Sequence, residues 1–354
     1  MAISSDLIAF SVSLFASLAL IVPIRHLALR YGFVDHPGPR KVHIRPVPLL
    51  GGVAIYLAFV LSILLTIHGP LRQQIAGILA GATLLAVVGL LDDAGLLHHQ
   101  VKLFIGMPAA AIFLLVSGIR AKFFSEFVPG MLGVILDICL TILWVVGITA
   151  AFSILDHMDG LCAGIAAVAA LFFALAASMN GQTMVRTLAA AVLGAALGFL
   201  RWNFNPARIF MGDGGAMFLG FLMAALGLKI RNDGARFPAS WLVPALILAI
   251  PIFDTTLISI SRSRRGLLPF TSPGKDHTAH RLSNLGLGHR GAVLLLYLVA
   301  ALAGTTALFV PRVSPAMAYA FASVIAVLAL SAVFLLEGAP YERQAKLQKS
   351  PSAP

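Results

Sequence analysis

Eleven runs of apolar residues, each roughly 20 long, recur along this chain with short polar breaks between them, and that repetition leaves little freedom of fold. A segment crossing a hydrocarbon core of about 30 Å has no water to satisfy its backbone, which restricts it to helix or closed barrel. Runs this long and without alternation read as helices. They lie near 5–29, 48–67, 73–91, 103–119, 131–150, 160–179, 184–202, 209–228, 239–261, 290–310 and 315–336. Composition agrees, with 59% hydrophobic and 11% charged residues against about 25% charged in an ordinary soluble domain. The expected class is an all-α, polytopic integral membrane protein with about eleven transmembrane helices. One transmembrane domain over 1–337 is expected, followed by a short polar, disordered tail over 338–354. The first run follows Asp6 with no basic stretch and no small-residue cleavage site behind it, so it reads as a retained helix. Cys139 and Cys162 fall inside apolar runs, where they read as small core hydrophobes.

Orientation follows from Lys and Arg, which are retained on the cytoplasmic side of short loops. Most of the 25 basic residues collect in one set of alternate loops, with Arg25, Arg30, Arg40, Lys41, Arg45, Lys102, Arg201, Arg208, Arg262 and Arg281 among them. That side is expected to be cytoplasmic. The net charge of +11 is spread over membrane-flanking loops with no soluble domain behind them. It therefore reads as contact with anionic lipid headgroups and a phosphorylated substrate, and nucleic acid is not an expected partner.

Acidic residues are scarce, 14 in all, and those at membrane-helix ends are costly enough to mark function. Asp35, Asp92, Asp93, Asp156, Asp159, Asp213, Asp254 and Asp276 all fall on the same expected face. Asp92-Asp93 closes a long apolar run, and Lys102 follows ten residues later. Two carboxylates beside an ammonium suit a general base, or a shell around Mg²⁺, next to a bound phosphate. Asp156 and Asp159 share one helical face, and only one of them can fill an N-cap. Asp213 stands among Gly212, Gly214 and Gly215 at the start of another run, where glycine lets a phosphate or metal approach the backbone. Arg40, Lys41, His43 and Arg45 sit in a loop shaped by prolines and glycines and suit a phosphate grip. The loop from Arg262 to Arg290 carries His277-x-x-His280-Arg281. That spacing would suit zinc on a helix, yet no third soft ligand is apparent, so phosphate binding by His277, His280 and Arg281 is expected.

Taken together these motifs resemble the polyprenyl-phosphate N-acetylhexosamine-1-phosphate transferases, the WecA/MraY-like glycosyltransferase family 4. The resemblance covers nearly the whole chain. It is carried by Asp35-x-Pro37-x-x-Arg40-Lys41-x-His43, Pro46-x-Pro48-x-x-Gly51-Gly52, Asp92-Asp93 with Lys102, Asp156-x-x-Asp159-Gly160-Leu161, Phe210-Met211-Gly212-Asp213-x-Gly215 and His277-x-x-His280-Arg281-Leu282. The Arg-Lys-x-His and Pro-Val-Pro elements are nearer the WecA-type branch. The resemblance implies attack of a polyprenyl phosphate on the β-phosphate of a UDP-sugar, UDP-GlcNAc first, giving polyprenyl-diphospho-sugar and UMP and so starting a cell-envelope polysaccharide. It implies Mg²⁺, with Mn²⁺ as the alternative, a place in the bacterial plasma membrane with the site facing the cytoplasm, and room for a homodimer. By motif, Asp213 would ligate the metal, with Ser153 as a weak further ligand. Lys102 would hold the diphosphate, Asp92 or Asp93 would position or deprotonate the lipid phosphate, and Asp159 would contact uracil. Phe210 would stack on the base, with Asn203 and Asp156 lining the nucleotide pocket beside Gly212.

The chain departs from the family pattern in four places. The family usually carries an Asn-x-x-Asn element whose positions read Ala150 and Ser153 here, the middle histidine of His-x-His-His is Ala279, and His157 stands where glycine or asparagine is common. A serine hydroxyl is a weaker oxygen ligand than an amide carbonyl. The alternatives to the WecA-type reading are an MraY-like phospho-MurNAc-pentapeptide transferase, an ion-coupled transporter, and a family member whose activity is lost or redirected.

Overall fold

The computed structural model describes residues 4–35, 46–66, 73–230, 239–267 and 274–339. Among them, helical bodies stand at all eleven expected places, and seven are long and apolar enough to cross a membrane by length and composition. We label α1 Ser5–Arg30, α2 Gly51–Thr66, α3 Gln73–Asp93, α4 Lys102–Val116, α5 Met131–Leu155, α6 Leu161–Met179, α7 Thr183–Asn203, α8 Gly212–Lys229, α9 Leu242–Ile247, α10 Ala249–Arg264, α11 Thr278–Arg312 and α12 Pro315–Glu337. The chain is an all-α polytopic membrane protein. Arg40, Lys41, His43 and Arg45 lie outside the described residues, as does the tail from 340 onward.

Two departures from the expected spans have local causes. The expected 239–261 span is two pieces, α9 and α10, interrupted at Leu248. Pro251 has no N–H to return to the Ile247 carbonyl, and a proline inside a helix kinks it there. The 290–310 span is preceded by a short helical segment, Thr278–Leu282, where loop was expected, and the chain kinks at Gly286 (φ +105°) before the long helix Gly288–Phe309. The Asp254 carboxylate accepts the Thr278 N–H at 2.7 Å, and that cap from α10 starts the helix.

The bundle is built around α8, whose residues from Gly214 to Gly227 are all buried. A helix that is apolar all round belongs in the interior. Helices α2, α3, α5 and α6 pack on it, while α1 lies along α2 and α7. Where α3 meets α8, a Cβ added at Gly89 would stand 2.5 Å from the Gly214 Cα, so the two backbones touch and bring the acidic end of α3 to the first turn of α8. Small residues at crossings are the usual route to close packing in lipid. A two-stranded antiparallel ribbon, β1 Val34–Asp35 and β2 Val47–Pro48, precedes α2. Beyond it the Gly51 and Gly52 N–H groups donate to the Phe210 and Met211 carbonyls at 3.0 and 2.8 Å, and Phe210 N–H donates to Pro48 O at 2.8 Å. The Pro-x-Pro-x-x-Gly-Gly motif is therefore laced to the segment leading into α8.

Candidate active site

Four helix ends meet at one end of the bundle. Asp92 closes α3, Lys102 opens α4, Ser153 lies in the last turn of α5, and Asp213 lies in the first turn of α8. The Lys102 Nζ sits 2.7 Å from Asp92 Oδ2 and 2.5 Å from Asp213 Oδ2, and the Ser153 hydroxyl donates to Asp213 Oδ1 at 2.5 Å. These side chains are only partly covered, with 18% of Lys102, 15% of Asp92 and 23% of Asp213 exposed. An ammonium thus bridges two carboxylates that remain open to a ligand.

Asp93, next in sequence, has a different task. Its Oδ1 accepts the Asp213 N–H at 2.8 Å and its Oδ2 the Gly214 N–H at 3.1 Å, so it caps α8 from the end of α3. Gly212 makes room for it. The residue has φ +74°, and a Cβ there would lie 2.5 Å from Asp93 Oδ2. The expected pair of equivalent carboxylates divides into one that faces the lysine and one that holds the backbone of the Asp213 turn.

The turn between α5 and α6 supplies Asp156, His157 and Asp159. Burial, then the negative charges of Asp213, Asp93 and Asp159, push the Asp156 carboxyl up to about 8. Asp159 Oδ2 accepts from Asn205 Nδ2 and the Ala207 N–H, both at 3.0 Å, which ties it to the α7–α8 connection. Asn203 is buried, and its amide is spent on the Gly160 N–H at 3.0 Å and the Ile209 carbonyl at 2.9 Å. It braces the loops where a nucleotide contact was expected. Tyr297 of α11, which the sequence did not single out, donates to the Gly160 carbonyl at 2.5 Å. Phe210 is half-buried, with its backbone in the lacing described above.

The expected trio of His277, His280 and Arg281 is divided. Arg281 has no exposed surface. Its guanidinium donates to Asp276 O at 2.8 Å, Leu336 O at 2.6 Å and Ser261 Oγ at 2.7 Å, and pairs with Glu337 at 3.0 Å. Phosphate binding by Arg281 is therefore corrected, because this side chain fastens α11 to α10 and to the end of α12. Around it, Arg262 grips Asp276 in a fork at 2.9 and 3.1 Å, and Arg265 adds a further contact. Burial alone would raise the Asp276 carboxyl, but the hydrogen bonds from Arg262 and Arg265 outweigh it and hold Asp276 well below the usual range. His277 and His280 instead turn toward His157. The His157 and His277 rings stack with centroids 3.9 Å apart, and His280 lies 4.9 Å from His157. Asp254, an acid at the expected face with no role read for it, lies 3.0 Å from His277 Nδ1. Its signal in the sequence was its place inside an apolar run, where a carboxylate needs a partner.

The donor set around Asp213 fits Mg²⁺. It is made of hard oxygens, the Asp213 and Asp92 carboxylates and the Ser153 hydroxyl, and Mg²⁺ takes carboxylate, hydroxyl and phosphate oxygens. The Lys102 ammonium already holds positive charge between the two carboxylates. Soft ligands are absent from this group.

The fold and this cluster define a multi-span membrane protein with a charged, oxygen-lined site where four helix ends converge. Comparison with known proteins gives the family. A family model described as Glycosyl transferase family 4 matches residues 75–231, which takes in Asp92, Asp93, Lys102, Ser153, Asp156, Asp159 and Asp213. The chain is 37% identical over 300 residues to the probable undecaprenyl-phosphate N-acetylglucosaminyl 1-phosphate transferase of Bacillus subtilis (strain 168), covering 82% of this chain and 81% of that protein. It is 32% identical over 336 residues to the decaprenyl-phosphate N-acetylglucosaminephosphotransferase of Mycolicibacterium smegmatis, covering 86% and 82%. With the undecaprenyl-phosphate alpha-N-acetylglucosaminyl 1-phosphate transferase of Escherichia coli K12 the identity is 30% over 311 residues, covering 85% and 82%. The chain belongs to glycosyl transferase family 4, and it is an enzyme.

Proposed function

We propose that this enzyme transfers N-acetylglucosamine-1-phosphate from UDP-GlcNAc to a polyprenyl phosphate, releasing UMP, at the cytoplasmic face of a bacterial plasma membrane. The observation that carries the reading is the Lys102 ammonium held at 2.5 and 2.7 Å between Asp213 and Asp92, beside an α8 N-terminus whose first N–H groups are fixed by Asp93. A reaction between two anions needs its charge neutralised and its partners aligned more than it needs covalent help. In the transfer, an oxygen of the lipid phosphate forms a bond to the β-phosphorus. The bond from that phosphorus to the bridging oxygen breaks, and UMP leaves with the oxygen.

Asp213, with Asp92 and Ser153 beside it, would hold Mg²⁺, which when bound supplies charge neutralisation of the diphosphate. Lys102 exchanges a carboxylate contact for a phosphoryl oxygen and keeps the donor in line. Asp92, released from that contact, orients the lipid phosphate and takes up any proton it carries. Asp93 acts through the backbone, fixing the Asp213 turn. Asp159 and Asn203 shape the loops that close on the base, and Phe210 supplies its stacking face. The placement of these groups at helix ends favours transfer over ion-coupled transport, whose sites lie near the membrane midplane in broken helices related by repeats.

The test is UMP release from purified protein given a polyprenyl phosphate, Mg²⁺ and each of several UDP-sugars in turn, with Asp92→Asn as control. Release that requires lipid and metal, is greatest with UDP-GlcNAc and is lost in the variant supports the reading. Folded protein that releases no UMP with any donor refutes it.

A further inference from the structure

Four arginines, Arg25, Arg201, Arg208 and Arg290, surround the connection between α7 and α8. Among the described residues the arginine ion pairs belong to Arg186, Arg262, Arg264, Arg265 and Arg281, so none of these four meets a carboxylate there. Two of them moor the connection from other helices. Arg25 of α1 donates through Nε to the Arg208 carbonyl at 3.2 Å, and Arg290 of α11 donates through Nε to the Asn205 carbonyl at 3.0 Å. The other two line a cavity of about 340 Å³ whose walls include Trp202 and Phe204. The Arg208 guanidinium lies 5.9 Å from the centroid of the Trp202 ring, within cation–π range. In the same wall the Trp202 indole nitrogen is buried and finds no acceptor, a costly state for a donor. None of Asp92, Lys102, Ser153 and Asp213 lines this cavity.

We propose that this cavity binds the phosphate headgroup of an anionic phospholipid, whose acyl chains lie along the exposed sides of α1 and α7. Guanidiniums take phosphate oxygens in forked, charge-assisted hydrogen bonds, and the Trp202 N–H supplies a neutral donor beside them. Depth argues for a phosphate carried by lipid. Arg201 and Trp202 stand in the last turn of α7, a membrane span, at the level where tryptophan and arginine meet the headgroups. One turn further into the span, Leu197 is exposed, and on α1 so are Val22 and Leu29, three residues before and four after Arg25. These apolar side chains face the bilayer directly below the arginines. A soluble phosphate would satisfy the guanidiniums and leave that strip unused. The site goes beyond the transferase reading and does not depend on it.

The experiment titrates full-length protein in detergent with phosphatidylglycerol, and separately with phosphatidylcholine of the same chains, and reads bound lipid by native mass spectrometry. Phosphatidylglycerol is expected to bind the wild type more tightly by about 10-fold or more. A single surface arginine contributes about fivefold by general attraction to an anionic lipid. Arg208→Gln and the more exposed Arg201→Gln, both checked for folding by their melting curves, should each weaken phosphatidylglycerol by more than that, about 10-fold. Arg30→Gln, exposed on α1 and outside the cavity, should change it by less than about twofold. Equal losses in Arg30→Gln and Arg208→Gln overturn the proposal, because they report surface attraction alone, as does a wild type that does not distinguish the two lipids. Displacement of the lipid by millimolar inorganic phosphate would make the ligand a soluble anion. Loss of polyprenyl phosphate binding in the variants with phosphatidylglycerol unaffected would give the cavity to the acceptor. Either result overturns the assignment. No UDP-sugar enters this experiment, so its failure leaves the transferase test untouched.

Discussion

Two charged clusters sit at the same end of this bundle, and they differ in how completely their charges are used. Around Arg281, the central groups, Arg281, Arg262 and Asp276, are covered and answered, with Arg265 and Glu337 at the rim. Arg281 is fully buried with four partners, and Asp276 is gripped by two arginines. Around Lys102, one ammonium serves two carboxylates, and all three side chains keep an open edge. Buried ion pairs tolerate the loss of water only when hydrogen bonds replace it in full. The Arg281 network meets that condition and acts as a clasp between α10, α11 and α12. The Lys102 cluster has charge left over, as a site for a diphosphate and a cation requires. Exposure and unfinished coordination separate function from architecture here, since both clusters are rich in charge.

Removing one charge from each cluster should break the contrast if it is wrong. Asp213→Ala is expected to lower turnover by at least about 1,000-fold, while shifting the melting temperature in detergent by less than about 3 °C. Retained turnover would remove Asp213 from the metal role. Arg281→Met should do the reverse. It removes the buried bonds to Asp276 O, Leu336 O and Ser261 Oγ and leaves Glu337 with only the more distant Arg264, at a cost of about 3 kcal/mol, read as a melting temperature lowered by about 6 °C or more, while the folded fraction still turns over. A turnover defect with unchanged melting would return Arg281 to substrate binding. Gly89→Ala tests the scaffold between the clusters and the bilayer core. Its new methyl meets the Gly214 backbone at 2.5 Å, an overpacking worth about 1–3 kcal/mol. Because that contact sets Asp92 and Asp93 against the Asp213 turn, stability and turnover should fall together, turnover by about 10-fold.

The spans were legible because lipid obliges each segment to satisfy its own backbone, so length and apolarity suffice to find them. The convergence of Asp92, Lys102 and Asp213 was legible for a related reason, since charges at helix ends of one face have few places to go. What the sequence hid were partnerships across the fold. Arg281 beside two histidines in a polar stretch reads as an anion grip, and nothing local reveals that its partners are Ser261, Leu336 and Glu337. Asp92 and Asp93 are identical in kind, and only the approach of α8 assigns one to the lysine and the other to a helix cap. The helical start at Thr278 depends on Asp254, 24 residues away. His157 reads only as a departure from the family's usual glycine or asparagine until the fold sets it against His277.

Asp156 lies between the two regions, and its titration sharpens the contrast by the smallest of these effects. Burial and three neighbouring acids push its carboxyl to about 8 from its ordinary value of 3.8. Below 3.8 both folded and unfolded chains carry the proton, and nothing is gained or lost. Between those values the unfolded chain releases the proton while the folded one keeps it, so the folded state becomes progressively less favoured as pH rises. Above about 8 the folded carboxyl ionises too, and the penalty stops growing. Asp156→Asn removes the ionisation without changing the shape. Its melting temperature should match wild type near pH 4 and exceed it by a margin that widens up to pH 8, reaching on the order of 2 °C, since the side chain is not fully covered and water screens part of the effect. A margin constant with pH would mean that Asp156 is already ionised in the folded protein, and that the acid cluster holds its charge through Lys102 alone.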